Sequence, residues 1–207
     1  MIGRKVAKGF TLIEVITTVA MALILYGILV TFLTTGIKTY KINEHTVELQ
    51  DNISRAIREF EYSTRAASEL VSLNSSNLVF YRYYDLEDEA PTKVHYYISQ
   101  DNEFIVSKIK PVVVESDISW PEEMAETTLL IDGVQNSESV FAYYDQNNTQ
   151  ITTIIDNTEG GDITNQALLL EVRMINLSIT LNDDSNQRSR VVEGSTRVNL
   201  RNLKTNI

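Results

Sequence analysis

Glu14 is the most chemically loaded residue of the chain, because it stands immediately before 23 residues, Val15 to Ile37, that carry no charge. A carboxylate at the centre of a membrane helix costs about 2.5–3.5 kcal/mol on insertion scales. A place near one end lowers that cost without removing it, so the acid needs a partner. Scission between Gly9 and Phe10 would supply one, since it creates an α-amino group four residues from Glu14. The Phe10 amine of one copy then pairs with Glu14 of its neighbour as apolar helices stack in register. The other reading of the same residue is an acid that snorkels or stays protonated in an ordinary signal anchor.

Other chemistry finds little footing. The two histidines, His45 and His95, are far apart in sequence, and we read both as solvated. With no cysteine, disulfides and thiolate metal sites are excluded, though this identifies no compartment. Glycine-rich phosphate loops, zinc spacings and nucleophile elbows are missing from the sequence, so neither an enzyme nor a cofactor is expected. The segment Asp156 to Asp162 (DNTEGGD) is oxygen-rich, but its spacing departs from a calcium loop and reads as a solvated turn. Glu87-Asp88-Glu89 reads as a wet connection. Tyrosine pairs at 83–84, 96–97 and 143–144 suit a strand that sends one ring inward and one outward. The outward rings offer a binding patch, but ordinary sheet packing calls for the same residues.

The elements that position Glu14 follow from charge and hydropathy. Residues 1–9 (MIGRKVAKG) are basic and too short to fold. The uncharged stretch that follows is long enough, at 1.5 Å per residue, to cross a hydrocarbon core of roughly 30 Å. A secretory signal peptide would place a small-residue cleavage site after its apolar stretch, whereas this stretch runs on through Thr34-Thr35-Gly36-Ile37-Lys38 into helix-like sequence. The positive-inside rule then keeps the N-terminus cytoplasmic and sends everything beyond about Lys38 outward. The formal charge is −10, and without residues 1–9 it is −13, from 15 basic and 28 acidic residues. So acidic a domain is a poor phosphate-binding surface, and general nucleic-acid binding is not expected.

The run Lys8-Gly9-Phe10-Thr11-Leu12-Ile13-Glu14-Val15 resembles the N-terminal signature of type IV prepilins and of the pseudopilins of type II secretion. The resemblance covers about 30 residues, and its specific part is the fixed spacing of basic leader, Gly, Phe and Glu ahead of the apolar span. It implies cleavage after Gly9 by a prepilin peptidase and N-methylation of Phe10. It also implies extraction from the membrane into a helical filament in which Glu14 serves subunit assembly. The implied partners are the peptidase, other pilin or pseudopilin subunits, an inner-membrane assembly platform, and membrane lipid before assembly.

From Lys41 onward the helix pattern continues but becomes amphipathic. No proline occurs before Pro91, so nothing compels a stop at the membrane surface. Leu49, Ile53, Ile57, Phe60, Ala67 and Val71 recur at helical spacings, with Asp51, Arg55, Arg58, Glu59, Glu61 and Arg65 between them. A helix of about 60 residues would run to roughly 90 Å, its lower part needing lipid or other copies of itself. Beyond Asn74 the signals turn to strands: 78–84, 93–98, 103–114, 129–131, 139–144, 168–181 and 190–200. Residues 85–91 and 115–127 read as polar linkers. Asp145-Gln146-Asn147-Asn148 reads as a hairpin turn, with 151–155 returning. The apolar parity changes between Leu168–Met174 and Leu177–Leu181, which suggests a bulge near Ile175-Asn176. In the last strand Val198 and Leu200 face inward, with Arg197, Asn199 and Arg201 outward.

The expected fold is α+β and pilin-like, one long N-terminal helix packed on a mostly antiparallel sheet. Its parts are a leader at 1–9, a transmembrane and filament-core helix at 10–37, an amphipathic half-helix at 38–73 and an extracytoplasmic β-rich domain at 74–207. Residues 49–60, the strand end Tyr143-Tyr144-Asp145 and the tail Arg197 to Asn202 are similar to the J-type minor pseudopilins and W-type minor pilins. These point to a structural subunit of a type IV pilus, type II secretion or competence-type filament. A pilus-mounted adhesion or DNA-uptake module, and a membrane-anchored sensor or enzyme with a chance leader match, are the alternatives.

Overall fold

An unbroken helical run follows from the absence of breakers, and the computed structural model carries it as α1 (Leu12–Arg65), 54 residues long. The structure describes residues 10–85, 87–114, 117–136, 139–153, 155–156, 163–183 and 190–200. By internal contacts the chain forms two units, Met1–His45 and Thr46–Ile207. The first is helical wherever it is described, apart from its opening residues. The division falls at His45, eight residues beyond the expected boundary at 37.

In the second unit, α1 ends earlier than its apolar stripe suggested. The amphipathic half was expected to reach residue 73, but the helix stops at Arg65 and Ala67–Leu73 forms strand β1. Leu70, Val71 and Leu73 fit either period, and tertiary pairing decides between them. β1 lies inside a sheet, hydrogen-bonded on both sides, and five of its seven residues are buried. Its last four residues, Leu70 to Leu73, are buried one after another, which suits such a strand better than a helix with one wet face.

The remaining elements are β2 (Asn77–Arg82), β3 (Thr92–Ile98), β4 (Phe104–Ile109), β5 (Val112–Val114), β6 (Asp117–Ser119), a 3-10 turn (Glu122–Met124), β7 (Ala125–Ile131), β8 (Phe141–Tyr144), β9 (Gln150–Ile151), β10 (Ile155–Asp156), α2 (Ile163–Glu171), β11 (Met174–Asp183) and β12 (Arg190–Asn199). They form a six-stranded sheet in the order β10-β1-β2-β3-β4-β7, a four-stranded sheet β12-β11-β8-β9 and the ribbon β5-β6. Each described strand pairing is antiparallel. The fold is α+β, with the last third of a long helix packed on antiparallel sheets.

Four sequence expectations change here. The single strand expected over 103–114 breaks at Lys110-Pro111, because proline has no N–H for the ladder. The polar linker at 115–127 contains β6 and the start of β7. The strand expected over 168–181 is helix α2 followed by β11, and no bulge lies at Ile175-Asn176. The β11–β12 register is unbroken from Met174↔Asn199 to Asp183↔Arg190. The parity change thus marks a switch from helix to strand. The hairpin at Asp145–Asn148 is present: β9 pairs with β8, and Asp145 Oδ1 accepts from the Asn147 and Thr149 N–H groups at 2.8 and 2.7 Å. Ile155 does not continue that return strand; with Asp156 it pairs with β1.

Phe60 anchors the core. It is fully buried, meets Tyr96 of β3 edge-on at 5.3 Å and lies 5.9 Å from Phe141 of β8. One helical side chain therefore touches both main sheets. Ile53 and Ala56 are buried on the same helix stripe, and Val198 and Leu200 are buried on the face expected for them. Gly194 of β12 lies directly under Ile53: a Cβ placed there would come within 2.1 Å of Ile53 Cγ2. A glycine is what allows helix and strand to approach this closely.

Candidate functional site: the start of the apolar helix

Thr11 and Glu14 organise the first turn of α1. The Glu14 carboxylate accepts hydrogen bonds from the Thr11 backbone N–H and the Thr11 hydroxyl, each at 2.9 Å, while the Glu14 N–H lies 3.4 Å from Thr11 Oγ1. This is the reciprocal capping box of a Thr-x-x-Glu sequence, which satisfies N–H groups that a helix start leaves without partners. Sequence reading assigned Glu14 to an intersubunit charge pair and missed its bond to Thr11, although the spacing that signals a capping box was on view. Phe10 is 86% exposed immediately before this turn. Gly9, the other half of the expected scissile bond, lies outside the described residues, as does the rest of 1–9.

Four threonines along the apolar stretch are satisfied within the helix itself. Thr17 donates to the Ile13 carbonyl at 2.9 Å, Thr18 to Glu14 at 2.7 Å, Thr31 to Gly27 at 2.8 Å and Thr34 to Val30 at 2.9 Å. Hydroxyls closed onto carbonyls four residues back make no demand on water. The side chains around them are apolar and bare: Leu12, Ile13, Met21, Leu25 and Phe32 are all exposed. Such a surface on this scale is a docking or membrane surface rather than a wet one. The helix is long and apolar enough to cross a membrane.

The other candidates fare differently. His45 is half-buried in α1. His95 is also half-buried, which corrects the solvated reading: its Nε2 is 3.2 Å from Asn77 Oδ1 and its ring is 4.6 Å from Tyr97. Burial lowers its pKa below the usual imidazole value; Lys93 adds to the effect and Glu122 opposes it. Of the tyrosine pairs, Tyr96 and Tyr143 are inward, with Tyr97 and Tyr144 half-buried. Tyr83 and Tyr84 do not alternate, because β2 ends at Arg82, and both are exposed. Tyr143 is held by the Asn74 and Asn77 carbonyls, 2.8 and 3.1 Å from its hydroxyl, and burial pushes its pKa well up. These are packing roles. Residues 157–162 of the oxygen-rich loop lie outside the described residues, and among the described residues no three or more His, Asp or Glu side chains are grouped to hold a metal.

Among the described residues, three ion pairs lie on the helix of the second unit, one of them Asp51 with Arg55. Glu61 and Arg65 are 3.2 Å apart, as their i, i+4 spacing suggested, and Glu61 also accepts from Thr196 of β12. Lys108 of β4 donates to Glu59 at 2.8 Å. Partial burial is the largest single influence on Lys108 and works against its charge, but Glu59 and Tyr84 together outweigh it, so the ammonium keeps its proton to higher pH than usual. No family model matches this chain, and no curated protein or solved structure matches it significantly.

Proposed function

We propose that this chain is a type IV prepilin-like structural subunit, a minor pilin or pseudopilin of a pilus, type II secretion or competence-type filament. Its basic leader is removed after Gly9, Phe10 becomes the N-methylated first residue, and the chain resides in the cytoplasmic membrane as a single-pass protein before assembly. Its N-terminus is cytoplasmic and its β-rich domain extracytoplasmic.

The observation that carries this reading is the run Lys8-Gly9-Phe10-Thr11-Leu12-Ile13-Glu14 placed directly before an uncharged helix whose apolar side chains are bare. An ordinary anchor needs only the apolar stretch. The acid at a fixed distance from a cleavable Gly-Phe bond is superfluous to anchoring and useful to stacking. In the described chain Glu14 caps its own helix through Thr11, and cleavage places an ammonium group beside that carboxylate. In the assembled filament, Glu14 and the Phe10 amine of an adjacent subunit neutralise each other in apolar surroundings, where an unpaired charge is costly.

The test is fractionation of cells expressing the chain together with its filament system. The subunit should co-sediment with sheared filaments when the prepilin peptidase is active and remain wholly in the membrane when it is not. Recovery in filaments without the peptidase would refute the reading.

A further inference from the structure

Asparagine followed two residues later by serine or threonine occurs four times, at Asn52, Asn74, Asn147 and Asn176. Such a triplet accepts an N-linked saccharide where its backbone lies at the surface and can leave its element to enter an enzyme. Three of the four fail that condition. Asn52 lies inside α1, with buried Ile53 beside it and the Ser54 hydroxyl donating to the Gln50 carbonyl at 2.7 Å. Asn74 commits its side-chain oxygen to the Ser76 and Asn77 N–H groups, at 2.8 and 2.6 Å, and its carbonyl holds the buried Tyr143 hydroxyl. Asn176 is in β11, paired with a strand on each side, between buried Ile175 and Leu177.

Asn147 differs in each respect. It stands at the tip of the hairpin after β8, and every residue from Gln146 to Gln150 is exposed. Asn148, the middle residue of the triplet, has φ +62°, the left-handed conformation that reverses the chain there. The returning strand β9 is two residues long and ends its sheet, so opening the turn breaks few bonds and moves no fully buried side chain. The Asn147 amide Nδ2 donates to Asp145 Oδ2 at 3.3 Å. Of the four triplets, this is the one with an acid two residues before its asparagine. That acid sets a negative charge beside the amide, which a cationic group of a transferase can recognise.

We propose that Asn147 is an N-glycosylation site, the acceptor of an oligosaccharide carried on a polyprenyl pyrophosphate. Its Nδ2 attacks the anomeric carbon. A C–N bond forms, the C–O bond to the carrier breaks, the pyrophosphate leaves with the bonding pair, and Nδ2 gives up one proton to a base of the transferase. Thr149, exposed on the far side of the turn, is the second half of the acceptor signal. Modification here depends on the extracytoplasmic placement proposed above, because such carriers deliver their saccharides outside the cytoplasm.

The test is mass spectrometry of proteolytic peptides from the chain purified from its native membranes. The peptide containing Asn147 should carry a single oligosaccharide, whereas those containing Asn52, Asn74 and Asn176 should be bare. Thr149→Ala leaves Asn147 and the turn backbone in place and should lose the glycan. Thr149→Ser should keep it, which separates the acceptor signal from any part the turn plays in folding. The N-terminal peptide of the same digest reports leader removal, so a failure of processing and a failure of glycosylation are read apart. A bare Asn147, a glycan on one of the other three asparagines instead, or a glycan that survives Thr149→Ala would each overturn the proposal.

Discussion

The Glu14 carboxylate holds both the backbone N–H and the hydroxyl of Thr11 at 2.9 Å, so the acid in the apolar helix already has a partner within its own chain. Capping and charge pairing make different demands on this residue. Glutamine serves a capping box as glutamate does, but carries no charge. Glu14→Gln should therefore insert and be cleaved normally and still assemble poorly, and Glu14→Ala should behave the same way. Quantifying subunit in sheared filaments checks this. Normal incorporation of Glu14→Gln would mean that only the cap matters.

Gly194 should tolerate no side chain while Ile53 sits above it. With a Cβ only 2.1 Å from Ile53 Cγ2, Gly194→Ala forces helix and strand apart. Overpacking of this kind costs about 1–3 kcal/mol. Pairing it with Ile53→Ala should recover part of the loss, giving a coupling that denaturant unfolding of the four variants measures. Additive effects would show that the contact is not made in solution.

Phe60 joins both sheets to the helix, and Phe60→Ala should destabilise the second unit by about 3–5 kcal/mol. Urea or thermal unfolding reads this directly, and a loss below 1 kcal/mol would be inconsistent with full burial of the ring.

His95 sets a pH dependence. Its folded pKa is lowered by burial, so below the ordinary value of 6.5 the unfolded chain binds more protons than the folded one. The stabilisation from keeping it neutral is present above pH 6.5 and is lost as pH falls towards the folded pKa. His95→Gln should flatten the fall in melting temperature between pH 6.5 and 5 relative to the unsubstituted chain. Parallel curves would contradict the burial assigned to the ring.

Much of the architecture was legible before the structure. The long helix, the hairpin at Asp145–Asn148, the inward Val198 and Leu200 and the Glu61–Arg65 pair all follow from local periodicity and turn chemistry. Errors arose where local pattern is degenerate. Ala67–Leu73 carries apolar residues that suit a helix stripe or a buried strand, and only the pairing of β1 with β2 and β10 decides. Leu168–Leu181 hid a helix because its two parities were read as one strand with a defect. Lys110-Pro111 gave a usable break signal that was passed over. At the candidate site Glu14 stood out by charge. Thr11 did not, although its spacing to Glu14 announces a cap. Nothing in the sequence neighbours of Arg82 says that an arginine closing a strand will be buried beside Tyr62 of α1 and Tyr84 of the loop after β2.

The most direct test is the intact mass of the protein purified from membranes, with and without an active prepilin peptidase. With the enzyme, the polypeptide part of the mass should be that of a chain starting at Phe10 and carrying one methyl group. Without it, residues 1–9 should remain. A chain that keeps its basic leader beside an active peptidase would contradict the assignment and leave only a membrane-anchored β-rich domain.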